Sequence, residues 1–123
     1  MSAVNAYSVF SISSDETLAT GTAKGRFIAP CDGKIVAVKA CSLSAPAGAS
    51  IILDVNKGGT TIFTTQANRP TIAAAATTAT LAGAPEVVEF AAGDVITVDV
   101  DQVGSSTAGT GFTVSIAFEG KTA

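Results

Sequence analysis

Asp94, Asp99 and Asp101, all within AGDVITVDVD, are the residues best placed to do chemistry in this 123-residue chain, and Asp54 is a conceivable neighbour from an earlier strand. Asp99 and Asp101 lie two positions apart, so on an extended segment they project to the same side. Carboxylates so arranged would suit a calcium ion if a loop added carbonyl oxygens. The competing reading is a solvated strand edge whose carboxylates discourage edge-to-edge pairing, and on it Asp99→Ala is expected to be tolerated. The second reading is favoured, so no metal and no cofactor are expected. A glycosidase-type carboxylate pair fares worse, because nothing in the sequence raises one pKa or shapes a cleft.

What is missing narrows the chemistry further. The chain has no histidine, no tryptophan and one tyrosine, Tyr7, which removes the commonest general base and metal ligand. A Ser-His-Asp or Cys-His site cannot be assembled from it. Neither a phosphate-binding glycine loop, nor a C-x-x-C pair, nor an Asn-x-Ser/Thr sequon occurs. Cys31 and Cys41 flank a predicted strand and are read as buried free thiols, as suits a reducing cytosol, rather than as a disulfide or a metal pair. No catalytic and no cofactor-binding residue is assigned, and an enzyme is not expected.

Any such residues would have to be positioned by strands. Residues 27–65 are read as three β-strands joined by two turns; Pro30, Asp32 and Gly33 make a turn before the strand at 34–42, and Pro46 and Gly48 the next one after it, since proline presets φ and glycine accepts conformations that other residues avoid. Residues 51, 53 and 55 share one face while Asp54 points away, so a one-residue register slip would bury a carboxylate. Asn56-Lys57-Gly58-Gly59 closes a hairpin onto residues 60–65. Within 34–42, Val36 and Val38 are placed on one face, and Ile35, Ala37, Lys39 and Cys41 on the other. That second, mostly apolar face suits contact with a neighbouring subunit or a covered edge.

Before this stretch, residues 6–13 alternate with Ser8, Phe10 and Ile12 on one face; 15–17 are read as a turn and 18–24 as a weak strand interrupted by Gly21. After it, TIAAAATTATLAGA at 71–84 is read as a loop with a short extended segment, because the threonines, Gly83 and Pro85 oppose the helical preference of alanine. Residues 86–90 make a short strand and 91–94 a turn. Ile96, Val98 and Val100 share a face, as do Phe112, Val114, Ile116 and Phe118. Between these two strands the loop 104–111 is polar and flexible, either a plain connection or a source of hydroxyls for a glycan or receptor. The reading is therefore all-β: one domain over 1–123, an antiparallel sandwich of about eight strands, jelly-roll type. Residues 1–5 and 120–123 are expected to be flexible termini.

Composition bounds the partners. Charged residues make up 14% of the chain and apolar types 47%, with a mean hydropathy of +0.47. A solitary domain carries more surface charge, so part of the surface is expected to be covered by other protein. With 7 basic and 10 acidic residues and a net charge of -3, no basic cluster exists to neutralise phosphates, and no direct nucleic-acid partner is expected. No apolar run reaches the roughly 20 residues of a membrane helix, and no signal-peptide pattern opens the chain.

Four runs, FIAPCDGKIV at 27–36, APAGAS at 45–50, LDVNKGGTTIF at 53–63 and AAGDVITVDVDQVG at 91–104, resemble a module recurrent in structural proteins of tailed bacteriophages and prophages. The likeness spans about residues 26–118 and is weakest over 71–84. It implies a jelly-roll sandwich, commonly trimeric, found in head decoration proteins, head spikes and tail- or fibre-associated proteins, and it carries no catalytic residues. The expected role is a non-enzymatic virion component, assembled in the host cytoplasm, that self-associates and docks onto major capsid or other virion proteins. The alternative is a module of a spike or fibre that binds host-surface glycan or receptor.

Overall fold

The computed structural model describes residues 4–77 and 80–122. In chain order the strands are β1 (Val4–Thr17), β2 (Gly21–Ile28), β3 (Gly33–Cys41), β4 (Ile51–Lys57), β5 (Thr60–Thr61), β6 (Thr71–Ile72), β7 (Thr80–Leu81), β8 (Glu89–Phe90), β9 (Val95–Gln102) and β10 (Thr110–Thr122). A single 3-10 turn, Gln66–Asn68, is the one helical element among the described residues. Alternation along these strands builds the core. Ile96, Val98 and Val100 on β9 and Phe112, Val114, Ile116 and Phe118 on β10 are all buried, while Thr97, Asp99, Thr113 and Ser115 between them are partly solvated.

The strands form two antiparallel sheets. One runs β1-β10-β3-β7, with β8 also paired to β3; the other runs β2-β9-β4-β5, with β6 also paired to β4. β7 and β8 share the lane beside β3, and β5 and β6 the lane beside β4, so ten strands fill eight lanes. The chain alternates between sheets as it enters and leaves the sandwich, which is jelly-roll connectivity. The expected fold class is what the structure has. Both inner faces close on one core, in which Phe63, Ile51, Leu53, Val55 and Ile72 are fully buried and Phe90 meets Phe118 edge to face at 5.3 Å. Each large side chain so buried stabilises by roughly 1.5–3 kcal/mol.

Turn chemistry explains the tight connections. The two-residue loop between β4 and β5 is Gly58-Gly59, both at positive φ, with Lys57 opposite Thr60, as the hairpin reading requires. The strand ends pair as well: Val4 lies opposite Thr122 and Asn5 opposite Lys121.

Four expectations need correction. Residues 15–17 are not a turn but the end of β1, which bulges between Ser14 and Thr17. In β3 the faces switch part-way, because Ala37 pairs Ala117 while Ile35 pairs Phe118. The extra residue, Val36, is 49% exposed and Ile35 takes its place in the core at 7%, as a bulge dictates. Asp54 does not point to water: it is 6% exposed, covered on the outer side of the second sheet. Cys31 and Cys41 are free but half-exposed: Cys31 lies in the bend between β2 and β3, packed against the core from outside it, and Cys41 is the last residue of β3. The remaining readings of residues 8 and 10 concern side chains outside the described residues.

Candidate functional site

The outer face of the second sheet gathers the carboxylates. β4 and β9 pair so that Asp54 lies directly across from Asp99, with Asn56 across from Thr97. Ile52 pairs Gln102 while Leu53 pairs Val100, which leaves Asp101 as the extra residue of a β9 bulge. The two-residue spacing of Asp99 and Asp101 thus brings both near Asp54, with Asp101 swung out by the bulge. Asp94 is not part of the group. It sits in the turn before β9, seven residues from Asp101 and so roughly 20 Å away along extended chain.

Each carboxylate has its own structural employment. Asp54 Oδ1 accepts from Thr61 Oγ1 at 2.6 Å, and the same hydroxyl accepts from Phe63 N at 3.0 Å. Asp99 Oδ2 accepts from Asn56 Nδ2 at 2.8 Å. Its Oδ1 accepts from Ala23 N at 2.8 Å. Ala23 has φ of +50°, a conformation that costs an L-residue about 1–2 kcal/mol. Asp99 therefore pins the irregular stretch of β2, where Gly21 pairs Val100 and Gly25 pairs Val98. Asp101 Oδ2 meets Arg69 Nη1 at 2.7 Å in a partly exposed ion pair. At the opposite end of the sandwich Asp94 Oδ2 accepts from Ala91 N at 2.8 Å, and Asp32 Oδ1 from Ala92 N at 2.9 Å, so both brace one turn.

Electrostatics follow from burial. Desolvation pushes the Asp54 carboxyl above its ordinary range, helped by the nearby Asp101 charge and opposed by the Thr61 hydroxyl and Arg69. Glu86, on the surface, is held below its ordinary range by hydrogen bonds from Thr65. Among the described residues no three His, Cys, Asp or Glu side chains converge as a metal would need. What the arrangement does is brace strands: it ties β4 to β5, β9 to β4 and β2 to β9.

The loops at the end of the sandwich away from the chain termini form the other candidate surface. Segments 42–50, 73–77 and 103–110 contain no charged residue, and they are stitched together. Ala47 N donates to Thr107 O at 2.9 Å, Ser106 N to Ala47 O at 3.0 Å and Ala75 N to Pro46 O at 2.8 Å. A Cβ on Gly104 would lie 1.8 Å from Thr107 O, so only glycine permits the approach. The loop expected to be flexible is instead fastened by its backbone to its neighbour. At this end Ser105, Ser106 and Thr107 are exposed, and so is Leu43, at 69%.

Sequence reasoning named Asp99 and Asp101 but missed Asn56, Thr61 and Arg69, which partner the carboxylates. Hairpin pairing of Asn56 with Thr61 was readable from Gly58-Gly59. Arg69 lies in a loop, and no sequence pattern points to it.

No protein-family model matches the chain, and no curated protein matches it. Among solved structures it is similar to a chain of the cyanophage Pam1 capsid asymmetric unit, with a TM-score of 0.53 and 15% identity over 95% of this chain and 85% of that one. At that identity the likeness is one of fold.

Proposed function

We propose that the chain is a non-enzymatic structural protein of a tailed-phage or phage-like particle, a capsid decoration, head-spike or tail-associated component that self-associates and docks onto major capsid or other virion proteins. One observation carries the reading: nearly the whole chain, not an embedded part of it, has the fold of a chain in a phage capsid. The sequence motifs that resemble phage structural modules, the absence of histidine and the structural employment of every clustered carboxylate support it. On this reading the protein resides in the virion, is assembled in the host cytoplasm, and forms a homo-oligomer, a trimer if it follows the module it resembles. It touches neither membrane nor nucleic acid directly.

The uncharged, hydroxyl-bearing loop end favours a second reading, recognition of a host-surface glycan or receptor by the same module on a spike or fibre. Co-sedimentation of labelled protein with stripped particles tests the first: retention supports docking, and loss of all protein to the supernatant refutes it. A glycan array tests the second, with a flat response removing it.

A further inference from the structure

Sheet edges are where strands from other molecules add, and proteins guard them with short strands, bulges and charges. Among the described residues three of the four edges here are guarded. The lanes of β7 with β8 and of β5 with β6 consist of two-residue strands. The β2 edge carries the irregular register at Ala23 together with Lys24 and Arg26. The fourth edge is β1, which pairs β10 on one side and no strand on the other. Its register is unbroken from Val4 opposite Thr122 to Ser14 opposite Phe112. The sequence there, VNAYSVFSISS, has no charge, no proline and no glycine, and it is rich in strand-forming types.

We propose that this edge is the self-association surface, and that β1 pairs antiparallel with β1 of a second copy about a two-fold axis, making one continuous sheet through both. The inference rests on the self-assembly part of the proposed function. A second copy offers only one comparable edge, its own β1, and two identical strands paired antiparallel close on themselves without leaving a further edge to recruit a third. Charge selects the direction. Parallel pairing in register would set Asp15 and Glu16 beside their own copies, and like charges directly opposite are destabilising. Antiparallel pairing centred on Val9, the midpoint of the uncharged run, sets Val4 opposite Ser14 and parts the two Asp15 residues by roughly 40 Å of strand. The contact yields even-numbered assemblies; if a three-fold surface also exists, it joins trimers in pairs.

The test is native mass of the wild-type chain, of Val9→Lys, of Val9→Asp, and of the two variants mixed. Val9 pairs with Ala117, which is half-exposed, so circular dichroism should show both variants folded. The wild type should have an even copy number, each variant half that mass, and the mixture the wild-type mass, because the introduced ammonium of one variant then faces the introduced carboxylate of the other across the axis. Val9→Cys, which adds no charge, should cross-link to a covalent dimer through position 9 on oxidation. A wild-type monomer, an odd copy number, masses unchanged by both charged variants, or no cross-link at position 9 each overturns the proposal. Particle co-sedimentation is read separately: a monomer that still binds particles removes this contact and the self-association in the proposed function but leaves docking onto the particle standing, and a β1-paired oligomer that does not bind does the reverse.

Discussion

Replacing Thr61 with valine keeps the shape of the side chain and deletes one hydroxyl that serves two buried groups. The hydroxyl donates to Asp54 Oδ1 at 2.6 Å and accepts from Phe63 N at 3.0 Å, between a carboxylate that is 6% exposed and a phenylalanine that is 0% exposed. A hydrogen bond to a charged group contributes about 1.5–3 kcal/mol, and an orphaned buried N–H costs about 1–3 kcal/mol. Thr61→Val should therefore cost roughly 3–5 kcal/mol near neutral pH. Part of that loss depends on pH. Burial raises the Asp54 carboxyl and Thr61 draws it down, so removing Thr61 raises the folded-state value further. For a carboxyl raised on folding, stability is fully present below the unfolded value of about 3.9 and is lost as pH rises through the folded value. The penalty of the variant should thus be larger at about pH 7 than at about pH 3.5. Urea unfolding followed by far-ultraviolet circular dichroism, at one protein concentration, measures both. An equal penalty at the two pH values, or one below about 1 kcal/mol, would refute the reasoning, and Thr61→Ser should recover most of the loss.

Three further outcomes are expected. Asp99→Ala, tolerated on the sequence reading, should instead cost about 2–4 kcal/mol in urea unfolding, because it frees Asn56 Nδ2 and the strained Ala23 N–H together. Gly104→Ala should prevent folding or lower the melting temperature by many degrees, since its Cβ would meet Thr107 O at 1.8 Å and Ala47 N at 2.8 Å, both backbone; Gly58→Ala, with open space around it, should cost only about 1–2 kcal/mol of left-handed strain. Calcium and a chelator should leave the melting temperature unchanged, because Asp94 is remote from Asp99 and Asp101 and each carboxylate already has a protein donor; a calcium-dependent rise would reinstate the metal reading.

Strands that bury one face only were legible, because period-two alternation states which side is inside. Residues 95–100 and 111–118 are of this kind, and Gly58-Gly59 fixed the central hairpin by its φ requirement alone. The illegible parts are those where a neighbour decides. Ile35 and Val36 are equally apolar, and only the bulge opposite Ala117 and Phe118 selects which enters the core. Asp54 breaks an apolar run and so looks solvent-facing; it is covered because β5 turns back beside it and supplies Thr61. The polar composition of 104–111 suggested freedom, whereas backbone bonds to Ala47 and Ser44 hold it, and backbone partners leave no trace in side-chain type. Of the candidate site, the sequence named carboxylates but not their donors, which come from a hairpin turn, a β2 irregularity and a loop arginine.

The most direct test of the central claim is the protein content of the particle. If the chain is a structural part of a virion, mass spectrometry of purified, salt-washed particles from cells producing it should find it in fixed proportion to the major capsid protein, and electron microscopy should place an eight-lane sandwich of this shape on the particle surface. Particles that assemble fully with the chain left behind in the supernatant would contradict the account.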